Sequence, residues 1–564
     1  MRWTLLEKAE VSKIHQLQES IGVDKSVAEL LVKRGIESFD DAKSFFRPDL
    51  AMLHDPFLMK GMDEASDFIL QKRNEKKPIM VFGDYDVDGT TSVALMSTYL
   101  RSLGFDILSY IPDRYQEGYG VSYQGIDHAK ANGIDLIVAL DCGIKAIEKV
   151  KYARDLGIDF IICDHHRPGD EVPEAIAVLD PKQEDCNYPF DELCGCGVGF
   201  KLVQALQMKL GKPQKEIYKY LDLVATAIGS DIVPITGENR ILAHFGLKLI
   251  NSRRRPAFKA ILEQTKKKEL TITDVVFMIG PRINAAGRMK HGLLATELLC
   301  ETNLEKVKAL AQNIELYNAS RKDADRSITD EALKLIKDNN EEERFTTVVY
   351  QSHWHKGVIG IVASRLTETY YRPTLVFTKS GEKLAASARS VKGFDIYEAL
   401  ESSSEFIEQF GGHKYAAGLT LEESKYEKFK TRFEEVVRLS INPDLLIPEI
   451  PYDTEIQFKE ITPKFIRILK QFAPFGPRNM KPTFVSRKVS TTGFVKALGD
   501  EGLHLKANLV QEESVITAIG FGLGDKKHLM DSNQSFDIIF TIEENEWNGT
   551  TTLQLNLKDL KESD

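Results

Sequence analysis

Residues 79 to 104 read IMVFGDYDVDGTTSVALMSTYLRSLG, and the order of their parts decides the fold. The apolar run IMVFG reads as a short buried strand, whereas TTSVALMSTYLRS has the apolar spacing of a helix and stops at a glycine. Asp84, Asp86 and Asp88 therefore sit on a strand-to-helix turn, the place where open α/β sheets hold their ligands. The same letters open a calcium loop, but such a loop needs a bidentate Glu at its twelfth position, and here that position is Leu95. A calcium loop is also entered from a helix, not from a strand. The acids belong to a sheet edge.

Working outward, short apolar strands alternate with amphipathic helices from Pro78 to Pro234, the pattern of a parallel sheet built from βαβ units. GIDLIVALD (133–141) and GIDFIICD (157–164) nearly repeat, so Asp141 and Asp164 are expected at equivalent strand ends. The chain divides into a helical lead-in (1–75), a parallel-sheet α/β domain (76–235) and a long helical connector (236–343). A smaller α/β domain (344–440) follows. After the proline-rich linker INPDLLIPEIPYD comes an all-β domain of OB-fold type (446–564).

At 564 residues the chain is too long for one core, and 42% hydrophobic with 28% charged residues describes a soluble globular protein. A net charge of -10 excludes a surface coated uniformly for nucleic acid. Two basic strips, Arg253 to Arg255 and Lys266 to Lys268, read as solvated faces. The six cysteines read as reduced thiols. Cys194 and Cys196 form a C-x-C with no second pair at zinc spacing, so they read as small packing residues. No apolar run approaches membrane-spanning length, and charge interrupts MRWTLLEKAEVSK early; a cytoplasmic protein with no membrane association is expected.

The candidate ligands of the first sheet are Asp84, Asp86, Asp88, Asp141, Asp164, His165, His166 and Asp231. Several carboxylates converging on one crevice repel, and they stay ionised near neutral pH only with cations between them. A pair of divalent metals answers this. Mixed carboxylate and imidazole ligands favour Mn²⁺, with Mg²⁺ the alternative, and two such ions suit phosphoester or phosphoanhydride hydrolysis. Asp141, alone at the middle strand end, is the expected bridging acid.

DYDVDGTT, LDCG, CDHH and GSDIVP, in that order, resemble the successive motifs of the DHH phosphoesterase superfamily, whose triad is Asp164, His165 and His166 here. WHKGVIGIVASR (354–365), SARS (387–390) and GGHKYAAG (411–418) resemble its associated DHHA1 domain. With PDRYQEGYG (112–120), PRINAAGR (281–288) and the β domain after APFGP, the full length is similar to the superfamily's single-strand-specific DNA exonucleases. The resemblance implies a 5′ to 3′ exonuclease of recombination and repair that releases mononucleotides. It gives Asp84, Asp86, Asp88, Asp141, His165 and Asp231 as metal ligands and sets His166 at the scissile phosphate. It gives Arg114, Arg282, Asn284, Arg288, His355, Ser387, Arg389, Gly411, Gly412 and His413 as substrate contacts. It also implies a monomer acting on single-stranded DNA, beside a helicase and a single-strand-binding protein. Several relatives have a His where this chain has Phe82, so one metal is expected to have fewer protein ligands. A basic track of Arg467, Lys470, Arg478, Lys481, Arg487 and Lys488 is expected to hold DNA on the barrel. Two rivals stand beside this reading: a superfamily enzyme for small substrates, which has no need of the β domain, and a non-catalytic DNA-binding scaffold.

Overall fold

In a computed structural model describing all residues except 253, 264, 266, 532, 533, 548, 549 and 564, the chain opens with a four-residue strand, β1 (Arg2–Leu5). The lead-in thus begins extended, not helical, because β1 finds a partner far along the sequence. Helices Val11–Ile21, Lys25–Val32 and Phe39–Phe46 follow, the last started by a capping box between Ser38 and Asp41.

The first sheet comprises β2 (Ile79–Gly83), β3 (Ile107–Tyr110), β4 (Leu136–Leu140), β5 (Asp159–Cys163) and β6 (Ala177–Leu179). Its order is β3-β2-β4-β5-β6 and every pairing is parallel. β2 and β4 are buried along their whole length, as a sheet covered on both faces requires. The chain leaves β2 toward β3 and returns on its other side as β4, so the order reverses between β2 and β4. Asp84 follows β2 and Asp141 follows β4: the acids flank the reversal point, where the crevice of such sheets opens. Leu140 pairs with Cys163, which sets Asp141 and Asp164 side by side at one edge.

The connector is helical and includes Leu304–Asp338, a single helix of 35 residues, about 50 Å long at 1.5 Å per residue. Beyond it β7 (Thr347–Tyr350), β8 (Thr374–Ser380), β9 (Lys383–Arg389), β10 (Gln409–His413) and β11 (Ala416–Glu422) form a second sheet in the order β10-β11-β9-β8-β7. Only β7 and β8 run parallel in it. The linker then contributes β12 (Glu449–Tyr452), which pairs with β1, Arg2 opposite Glu449. The last sheet holds β13 (Thr454–Glu455), β14 (Thr483–Leu498), β15 (His504–Gln511), β16 (Ser514–Gly520), β17 (Phe536–Trp547) and β18 (Thr550–Glu562). β14 is long enough to pair with β17 through its first half and β15 through its second, closing the barrel.

The amino-terminal helices serve this barrel. Leu17, Leu30 and Leu31 share one apolar core with Phe465, Phe484 and Phe540. The barrel is tied to the first domain by the buried Arg240, which stacks on Phe45 and donates to the carbonyls of Phe45, Gln471, Phe472, Ala473 and Pro474. Four members of the expected basic track on the barrel lie in ion pairs, most of them at the surface. Lys470 pairs with Glu544, Arg478 with Glu192, Lys481 with Glu543, and Arg487 with Glu455 and Asp537.

Candidate active site

The first acidic group is shaped by the start of helix Val87–Ser102. Asp86 is its N-cap and accepts from the Gly89 N–H at 3.0 Å. Gly89 itself allows no side chain, since a Cβ there would come within 2.3 Å of the Asp84 carbonyl oxygen. Asp88 turns the other way, into the N-terminus of helix Gly195–Lys209, where the N–H groups of Gly195 and Cys196 donate to its two oxygens at 2.6 and 2.7 Å. Cys194 caps that helix through its Sγ. The C-x-C is thus packing and backbone donation, with every thiol free.

Asp141 sits just past β4 with φ at +60°, a left-handed conformation that costs energy in a non-glycine residue and recurs at functional sites. Gly195 makes room for it, because a Cβ at that position would lie 2.6 Å from the Asp141 Cβ. His165 Nε2 lies 3.2 Å from Asp141, 3.5 Å from Asp231 and 3.8 Å from Asp88. Asp231 arrives as the C-cap of helix Leu221–Ser230. His165 belongs to two overlapping three-residue sets that could hold a metal ion, one with Asp141 and His166, the other with Asp88 and Asp231.

Charge in this cluster is unbalanced. Burial, reinforced by the neighbouring carboxylates, pushes Asp84 up to about 8, Asp88 to about 7 and Asp231 to about 8, and holds Asp141 well above the carboxylate range. Burial and the charge of His166 push His165 down to about 3, leaving it neutral, the form in which an imidazole can ligate. Asp84 Oδ2, Asp141 Oδ1 and both ring nitrogens of His165 are buried without a hydrogen-bond partner. Orphaned acceptors beside repelling carboxylates fit divalent cations, and nothing else among the described residues satisfies them.

His166 is held differently. Burial disfavours its charged form, but Asp164 Oδ1 at 2.7 Å from Nδ1 outweighs burial and raises the imidazole to about 9. Burial likewise opposes ionisation of Asp164, yet His166 and the Ile144 N–H hold it at about 2. Asp164 is thus a positioning carboxylate at the sheet edge. The outer nitrogen of His166, Nε2, lies 3.1 Å from the Tyr119 hydroxyl.

Facing the acids is a cluster of cations. Arg114 lies flat on Tyr85, 3.9 Å from the ring centroid, with its Nε buried and unpartnered, close enough to Asp84 to favour the carboxylate. Arg288 donates to the Gly357 carbonyl, bridging to the second α/β unit. Burial and then Arg114, Arg321 and Arg389 lower its guanidinium to about 10. Arg288, Arg321 and Asn284 line a cavity of about 200 Å³ together with Ser230, the neighbour of Asp231. Four guanidinium groups gathered in this way have the charge and fork geometry that bind phosphate oxygens.

The second sheet adds a floor. Ser387, Gly418 and Gly411 lie in one cross-strand row, and Arg389, Ala416 and His413 in another. The middle residues, Gly418 and Ala416, are small, and the hairpin at Gly411, Gly412 and His413 is exposed. His355 packs edge-on to Tyr115, whose hydroxyl donates to the Arg288 carbonyl.

Two residues singled out in the sequence have partners within the protein. Arg282 is held within the connector, its guanidinium paired with Glu315 and donating to the Met278 carbonyl. Phe82 is a core side chain, stacked on Tyr110 with centroids 5.2 Å apart and covered by Gly125. Of the basic strips, Arg255 is locked to Asp222 and Lys267 to Asp274, while Arg253 and Lys266 lie outside the described residues. Sequence reasoning passed over three residues. Tyr119 stood inside PDRYQEGYG, and Lys182, which donates to the His165 carbonyl at 2.6 Å, stood in an unremarkable DPK; Arg321 was hidden in a charged helix.

A crevice of carboxylates and imidazole at a parallel sheet's reversal point, faced by Arg114 of the same domain, Arg288 and Arg321 of the connector and Arg389 of the second α/β unit, defines a metallophosphoesterase of the DHH class. Family models agree: "DHH family, N-terminal domain" matches residues 78–228, "DHHA1 domain" 343–439 and "RecJ OB domain" 452–559. The chain belongs to the RecJ family. It is 35% identical over 563 residues to the single-stranded-DNA-specific exonuclease RecJ of Bacillus subtilis (strain 168), covering 99% of this chain and 70% of that protein. It is 33% identical to the Escherichia coli (strain K12) RecJ, with 88% and 89% covered. The crystal structure of RecJ in complex with Mn²⁺ from Thermus thermophilus superposes with a TM-score of 0.85 at 27% identity, covering 100% of this chain and 80% of that one. A Mg²⁺ complex of the same protein gives 0.79 at 26% identity, with 100% and 79% covered.

Proposed function

We propose that this chain is a metal-dependent exonuclease that digests single-stranded DNA from the 5′ end and releases mononucleotides. The observation that carries the reading is the set of orphaned, buried ligand atoms on Asp84, Asp141 and His165 beside a cluster of arginines, in which burial and then the neighbouring charges lower the Arg288 guanidinium. Asp84, Asp86, Asp88, Asp141, His165 and Asp231 would hold two divalent ions, Mn²⁺ or Mg²⁺. Such ions supply a water acidic enough to attack near neutral pH and neutralise charge on the reacting phosphate. Arg114, Arg288, Arg321 and Arg389 orient the phosphates by charge-assisted hydrogen bonds. His166, protonated at neutral pH through Asp164, is placed to donate to the leaving oxygen from Nε2, with Tyr119 fixing the ring. The division of labour follows the chain: residues 76–235 for chemistry, 344–440 for the opposing wall, 446–564 for holding the strand.

Direction and mononucleotide release rest on the family resemblance, as do a helicase and a single-strand-binding protein as partners. Six free cysteines support a reducing, cytoplasmic setting, and no helix among the described residues is long and apolar enough to cross a membrane. The Asp141→Asn variant tests the reading. Cleavage of a 5′-labelled single strand in Mn²⁺ should fall by more than about 100-fold, the upper range for disturbing even an outer partner of a metal site. Strand binding should remain. Undiminished cleavage removes the bridging role, and an intact strand with the unaltered chain removes the exonuclease reading itself.

A further inference from the structure

Ile232 follows Asp231 directly and has φ at +61° with 70% of its surface exposed. A β-branched residue is poorly suited to left-handed backbone, where its Cβ crowds the next carbonyl. Its side chain gains nothing from packing, for Val233 and Ile235 enter the core of the first domain and Ile232 does not. Both flanks fix the conformation: the Asp231 N–H donates to the Ala227 carbonyl and the Ile235 N–H to the Pro477 carbonyl, at 2.9 and 2.8 Å. A strained, solvated apolar side chain held beside a catalytic acid calls for a functional reason.

A second exposed apolar group stands on a turn that packs against the helix ending at Asp231. Residues Val275–Ile279 form a π-helical turn, a local distortion that recurs at functional sites, and its Phe277 is 73% exposed. This turn packs on the segment that carries Asp231. Val276 lies 3.2 Å from where a Cβ on Gly229 would stand, and it lines the arginine cavity with Ser230. Ile232 and Phe277 are thus two exposed apolar side chains, one directly after Asp231 and one directly after Val276 of the cavity wall.

We infer that Ile232 and Phe277 form a rim on which the nucleobases of the incoming strand rest while their phosphates meet the ions and arginines. The inference rests on the exonuclease reading and adds to it a source of single-strand preference. Base faces are free to lie on apolar side chains only when unpaired and unstacked, and such contact reads no sequence. The rim makes no bond and moves no proton. Its residues are positioning groups for the strand.

The test compares a single strand carrying ordinary bases with one of equal length whose leading nucleotides are abasic. The unaltered chain should digest the base-bearing strand at least fivefold faster in kcat/KM. Ile232→Gly and Phe277→Ala should each shrink that ratio, and the double variant should bring it near one. Ile232→Gly should also melt at or above the temperature of the unaltered chain, because glycine accepts positive φ. Ratios that stay unchanged in the variants, or a lower melting temperature for Ile232→Gly, overturn the inference. An unaltered chain that digests both strands alike overturns it while leaving the exonuclease reading standing, whereas one that digests neither removes that reading first.

Discussion

At the residue scale the site runs on two opposite pKa shifts. The Asp164–His166 pair has one partner raised to about 9 and the other lowered to about 2. The histidine's share of the pair's stabilisation is complete below about pH 6.5 and is lost as pH rises through about 9. The aspartate's share is present above about 3.8 and is lost as pH falls through about 2. Asp164→Asn should therefore move the alkaline limb of the kcat/KM profile from about pH 9 toward 6.5, and an unmoved limb excludes His166 as the acid. The ligand acids shift the other way. With Asp84 and Asp231 near 8 and Asp88 near 7, the metal-free folded state binds more protons than the unfolded chain between about pH 4 and 8. Its stability falls as pH rises across that window. Added Mn²⁺ should raise the melting temperature more at pH 8 than at pH 5.5, and calorimetry at the two pH values checks it.

At the element scale, what was legible in the sequence were the strand ends. Acids after IMVFG and in the repeated GID phrases announce themselves because a parallel sheet gathers the ends of its strands at one edge. What the sequence hid was contributed by backbone or by distance. Asp88 is anchored by N–H groups 107 and 108 positions away, and every residue carries an N–H, so no residue type marks the anchor. Arg321 lies on the 35-residue helix among ordinary solvated charges, and only the turn of that helix aims it at the cavity. The barrel lysines and arginines were legible as cations, but Glu455, Glu543 and Glu544, their ion-pair partners, are set opposite only by the closed sheet. Phe82 belongs at this scale too, since β2 directs it into the apolar layer against Tyr110. Phe82→His should cost about 1–3 kcal/mol of stability by burying imidazole there, measured by denaturant unfolding. A gain in Mn²⁺ affinity in the same variant would show that an imidazole at this position still reaches the ions.

At the scale of the whole molecule, Arg240 is the joint between chemistry and barrel. Its guanidinium satisfies carbonyls from residues 45 and 471–474, and no carboxylate among the described residues shares it. Arg240→Ala leaves several of these buried acceptors without a donor, at roughly 1–3 kcal/mol each. The variant should melt earlier and become sensitive to protease between residues 440 and 483 while the sheet of the first domain stays protected. Equal cleavage resistance would show that the loop docks without this residue.

The pairing of β1 with β12 has a consequence for how the protein is made. Arg2 bonds to Glu449, 447 positions away, and the first helices bury their leucines against barrel phenylalanines that are synthesised later still. At translation speeds of about 5–20 residues per second, the opening of the chain waits roughly 20 to 90 seconds for its partner to leave the ribosome. During that interval Leu17, Leu30 and Leu31 have no barrel to cover them, so the nascent chain is most exposed to aggregation at its very beginning, long before the catalytic crevice is complete.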